Sequence, residues 1–67
     1  MKEFSLVGAD SNALGIIAYT KNAMRQTKYS EEEIKEYVKA ATSGDYMFLV
    51  RLSDAQLENC NKRLAEM

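Results

Sequence analysis

The sequence predicts an α+β fold that is mostly helical: a short N-terminal strand followed by three helices, in one domain over residues 1–67. Three observations predict it. The first residues alternate in polarity and stop at a glycine, two later stretches carry apolar residues at helical spacing behind capping residues, and no repeat, proline-rich linker or low-complexity tract divides the chain. A chain this short buries only about 60% of the surface its unfolded form exposes, so its stability is expected to be marginal.

The elements follow in order. From Lys2 to Val7, Phe4 and Leu6 fall on one face and Glu3 and Ser5 on the other, with Gly8 as the stop, which describes a strand. From Ser11 to about Thr27 the apolar positions Leu14, Ile17, Ala18 and Met24 recur at helical spacing, widened by Ile16, Tyr19 and Ala23, and Asp10 or Ser11 would cap the helix. Ser30 followed by Glu33 is a capping box, and Ile34, Tyr37, Val38 and Ala41 carry a second helix to Ser43-Gly44. Gly44 suits a left-handed closing residue, and Glu31, Glu32, Glu33, Lys35 and Lys39 read as a solvated face that complements the helix dipole. The last third is ambiguous. Tyr46, Phe48, Val50 and Leu52 alternate as in a strand, but Tyr46, Leu49, Val50, Ser53, Leu57, Cys60 and Leu64 form a longer helical stripe behind an Asp45 cap. A third helix from Asp45 to about Ala65 is therefore expected, with a second capping pattern, Ser53 to Gln56, allowing a break.

A lone strand leaves backbone groups without partners, so the expected remedy is pairing across a homo-oligomer, a dimer or a tetramer. The cluster Met47, Phe48 and Leu49 points the same way, since one small subunit cannot bury it all.

Composition excludes several functions. With no His and the single cysteine Cys60, a histidine base, a Cys/His zinc site and an intrachain disulfide are absent, and Cys60 is expected to be buried. Nine basic against ten acidic residues give −1, too little basic excess to bind duplex DNA, and an acidic second helix disfavours a helix-turn-helix reading. No apolar run approaches the roughly 20 residues of a membrane span, and no secretory signal opens the chain, so a cytoplasmic protein away from membranes is expected.

Three places carry candidate binding groups. The turn before the first helix offers Asp10, Ser11 and Asn12 beside unpaired helix N–H groups, with Gly15 allowing close approach, although capping and packing explain the same residues. Lys21, Arg25 and Lys28 make a row on one face of that helix, able to grip phosphate and equally able merely to solubilise. Ser43, Asp45 and Tyr46 gather at the second junction, where a phenol ring could stack on a base, or where a helix simply stops and another starts. A metal held by Asp10, Asp45 and Asp54 is conceivable, but nothing resembles a calcium loop, and no catalytic residue, metal or cofactor is expected.

Val7-Gly8-Ala9-Asp10-Ser11-Asn12-Ala13, and Glu31 to Ile34 leading to Ala41-Thr42-Ser43-Gly44-Asp45-Tyr46, resemble a family of short phage and prophage proteins. Its members run L-V-G-x-D-x-N-A and then E-E-I to A-x-S-G-D-Y. The resemblance covers most of the chain and its motifs are moderately specific. Ala9 and Ser11 stand where the family has a bulkier residue and a glycine, and Met47-Phe48 where polar residues are usual. Small oligomeric phage proteins of this kind are similar to the sponges that sequester nucleotide second messengers of antiphage defence, such as cyclic dinucleotides of CBASS or ADP-ribose derivatives of Thoeris. That resemblance implies a non-enzymatic nucleotide binder in the bacterial host cytoplasm. The alternative is a phage protein that inhibits a host defence protein by direct docking.

Overall fold

The computed structural model describes residues 3–9 and 11–67. Three helices follow one another, α1 (Ala13–Gln26), α2 (Glu31–Ala41) and α3 (Tyr46–Glu66), preceded by a single 3-10 turn at Leu6–Gly8. Short connections make successive helices antiparallel, so the first turns of α1 and α3 and the last turn of α2 share one end of the bundle. Among the described residues no helix is long and apolar enough to cross a membrane.

Each helix begins where a side chain satisfies free N–H groups. Asn12 caps α1 by accepting from Gly15 N at 2.7 Å, so Ser11 is not the cap, and the expected role of Asp10 lies outside the described residues. The Ser30/Glu33 capping box forms in both directions, 3.1 Å and 2.9 Å. The Glu33 carboxyl is held below its ordinary value of 4.5, first by the Ser30 backbone N–H, then by the Ser30 hydroxyl, with a smaller pull from Arg63. Asp45 caps α3 through Phe48 N at 2.9 Å, as the sequence indicates.

The α+β expectation is corrected: the described chain is all-helical and contains no strand. Residues 3–5 have no regular structure and 6–8 form the 3-10 turn, while Lys2, at the start of the expected strand, lies outside the described residues. The physical reason is that side chains take the part of a neighbouring strand. Asn61 on α3 accepts from Phe4 N at 2.8 Å and donates back to Phe4 O at 3.0 Å, as a paired peptide group would. Tyr19 on α1 accepts from Ser5 N at 3.0 Å, and Ser5 Oγ accepts from Val7 N at 3.2 Å. Phe4 and Leu6 alternate because both lie against the core, and Phe4 meets Tyr19 edge to face at 6.4 Å. The expected pairing of a strand across a homo-oligomer is removed with the strand.

Two further expectations change. Gly44 is not left-handed; among the described non-glycine residues that conformation belongs to Lys28, φ 68°. Lys28 closes α1 in a Schellman arrangement, with Tyr29 N donating to Met24 O at 3.0 Å and Lys28 N to Arg25 O at 3.2 Å. Gly44 instead provides room, because a Cβ there would stand 2.6 Å from the Phe48 ring. The ambiguity after Gly44 resolves as one unbroken helix. Ser53 restarts nothing; it is buried and shares a hydrogen bond with the Tyr37 hydroxyl at 2.5 Å.

The core sits between all three helices. Ile16, Ala23 and Met24 come from α1, Ile34, Tyr37 and Ala41 from α2, and Leu49, Leu57 and Cys60 from α3. Cys60 is fully buried, as expected of the lone thiol. Thr20 and Thr27 enter the core because each hydroxyl donates to the carbonyl one turn back, to Ile16 O and Ala23 O, both at 2.9 Å. α1 packs chiefly on α3, and α2 lies more lightly against both.

Candidate functional site

The three candidate places meet two separate fates. At the end of the bundle where α1 and α3 begin, the first and third come together within one chain. The Tyr46 hydroxyl donates to the Ser11 carbonyl, tying the turn before α1 to the first turn of α3. Beneath this bridge runs a groove of about 300 Å³ lined by Leu14 and Ile17 of α1, Thr42 at the end of α2, and Asp45, Tyr46 and Leu49. Its character is apolar. Asn12 and Asp45 already occupy helix N–H groups as caps, and Ser43 Oγ donates to Ala40 O at 2.8 Å. The Asp45 carboxylate also brings negative charge to the groove, so a phosphate is repelled from this end. Ser11 contributes its backbone carbonyl through the Tyr46 bridge, and Asp10 lies outside the described residues.

Lys21 and Arg25 face a different groove of about 380 Å³, between α1 and α2. Here Lys35 and Lys39 of α2 join them, and Ile34 and Val38 form an apolar floor. Four cations border the groove against one anion, Glu31, whose carboxylate lies 3.5 Å from the Arg25 guanidinium. Both partners of that pair are more than half exposed, so it is worth little and yields readily to a competing anion. A guanidinium offers a planar fork to phosphate oxygens and the lysines supply mobile point charges. Lys28 leaves the row, because the end of α1 turns it into the left-handed connection.

Sequence reasoning missed Lys35 and Lys39 as partners of Lys21 and Arg25. The signal was present: each directly follows a core-facing residue, Ile34 or Val38, and so stands at the edge of the buried stripe of α2 rather than at its centre of exposure. The solvated-face reading of α2 makes them complements of the helix dipole instead. A third groove of about 400 Å³, lined by Phe4, Tyr19, Asn22, Gln26 and Leu64 with Glu3, carries no cation. Among the described residues no three His, Cys, Asp or Glu side chains gather as a metal ion would require.

Comparison with protein-family models, with curated proteins and with solved structures gave no match.

Proposed function

We propose that this chain is a non-enzymatic binder that sequesters a phosphorylated nucleotide signal, holding the phosphates in the α1/α2 groove. The observation that carries this reading is the convergence of Lys21, Arg25, Lys35 and Lys39 around a floor of Ile34 and Val38. Cations on a rim and apolar carbon beneath suit an anion that also carries a flat, weakly polar group. Capture by equilibrium binding needs no acid, base or nucleophile. The resemblance to phage proteins adds the biological setting: a phage-encoded sponge in the bacterial cytoplasm, blunting an antiphage signal such as a cyclic oligonucleotide or an ADP-ribose derivative.

Association of copies as a dimer or tetramer belongs to the same reading, and the apolar side chains Met47 and Phe48, 60% and 44% exposed, favour it. Isothermal titration calorimetry with cyclic di- and trinucleotides and ADP-ribose derivatives, with light scattering in parallel, tests both parts. Stoichiometric binding without turnover is expected, weakening steeply with salt. Silence across the panel contradicts the reading.

The same exposed side chains favour a second reading, in which the protein inhibits a host defence protein by docking through the apolar end of the bundle, where Leu14 is 79% exposed. Capture of one stoichiometric protein from host lysate, with no bound ultraviolet-absorbing small molecule, would select it.

A further inference from the structure

The two grooves beside α1 lie end to end. On α1, Ile17 in the apolar groove is one helical turn from Lys21 in the cationic one. On α2, Val38 in the cationic groove is followed within a turn by Ala41 and Thr42 in the apolar one. Both grooves therefore follow α1 and α2, with the first turn of α3 walling the apolar one, and the chemistry changes along them. One end has ammonium and guanidinium groups; the other has Leu14, Ile17 and the ring of Tyr46, held in place by its bond to Ser11.

We propose that the two grooves are one extended site for a nucleoside diphosphate or a longer conjugate of it, with the terminal phosphate at Lys21, Lys35 and Lys39 and the base between Leu14 and Tyr46. The proposal rests on the nucleotide reading given above and deepens it by fixing the ligand's length and direction. Seven residues separate Leu14 from Lys21 along α1, about 10 Å at 1.5 Å per residue. An inorganic anion fills only the cationic end, and a ligand whose charge sits directly beside its base cannot reach both ends. Direction follows from charge, because Asp45 at the apolar end repels phosphate while the lysines attract it. The Tyr46 ring is half exposed and anchored through its hydroxyl, leaving a face on which a base can stack.

Calorimetry of the full chain with inorganic pyrophosphate, ADP and octyl phosphate tests this. ADP should bind at least about tenfold more tightly than pyrophosphate, the margin that stacking of one base supplies. Leu14→Asn and Tyr46→Leu should erase that margin and leave pyrophosphate binding unchanged, while Lys35→Glu should weaken both ligands. Leu14 is exposed enough for its substitution to leave folding intact, which circular dichroism checks. Equal binding of ADP and pyrophosphate, both lost in Lys35→Glu, would overturn the extended site and leave phosphate capture standing. Octyl phosphate matching ADP would overturn the assignment of a base to the apolar end. No binding of pyrophosphate or ADP would overturn the extended site and the nucleotide reading together.

Discussion

The two seams that α1 makes with its neighbours use their polar groups differently. Against α3 the helix packs more extensively, and Asn61 and Tyr19 anchor the N-terminal segment beside the contact by satisfying the backbone of Phe4 and Ser5, at the edge of a groove that carries no cation. Against α2 the helix leaves an open groove bordered by Lys21, Arg25, Lys35 and Lys39. One seam uses polar groups to hold the N-terminal segment, and the other, apart from the exposed Arg25–Glu31 pair, leaves its cations facing outward. In a domain with so little core, a bordering cation that makes no structural contact is free to serve a ligand, and a substitution there should change binding without changing stability.

Substitutions on the two sides separate these roles, and the largest effect belongs to the seam with α3. Asn61→Ala leaves both backbone groups of Phe4 without partners and should cost about 2 kcal/mol, read as a lower denaturation midpoint and as lost hydrogen-exchange protection at Phe4. Arg63→Ala should cost about 1 kcal/mol. Its guanidinium covers the Tyr29 ring at 3.8 Å and donates to the carbonyls of Thr27 and Lys28, at 3.3 Å and 3.2 Å, where α1 ends. At the same turn, Lys28→Gly should stabilise by roughly 0.5 to 1 kcal/mol, because glycine takes the left-handed conformation without the steric penalty of a side chain. The hydrogen bonds that form it are made by the backbone and survive the change.

A smaller effect comes with pH. The Glu33 carboxyl is lowered in the folded protein, so its contribution is complete above the ordinary value near 4.5 and is lost as pH falls through the lower folded value. Acid titration of stability should flatten in that window in Glu33→Gln relative to the parent. The smallest effect on stability is expected in the open seam, where Lys39→Glu should move the denaturation midpoint by less than about 0.5 kcal/mol while weakening nucleotide capture.

What could be read from the sequence was local chemistry. The Ser30/Glu33 capping box, the Asp45 cap and the apolar stripe from Leu49 to Cys60 each depend on residues within a few turns of one another, and all three are formed. The N-terminal segment failed because two alternating apolar residues look alike whether they face a sheet or lie on a bundle, and its decisive partner, Asn61, is 57 residues away. Gly44 and Lys28 were assigned by residue type, whereas the Phe48 ring needs space at Gly44 and the end of α1 imposes its conformation on Lys28. Half of the cationic site was visible as the row Lys21 and Arg25. The other half was assigned to solvent, since nothing in α2 alone shows that α1 lies beside it with like charges.

The most direct test pairs two readings on one protein, the Lys21→Glu/Lys35→Glu double variant, compared with the parent for its urea midpoint and for nucleotide binding by calorimetry. The open-seam account predicts an unfolding midpoint within experimental scatter of the parent and a complete loss of capture. Retained capture, or a variant that loses its helical signal along with its ligand, would contradict it.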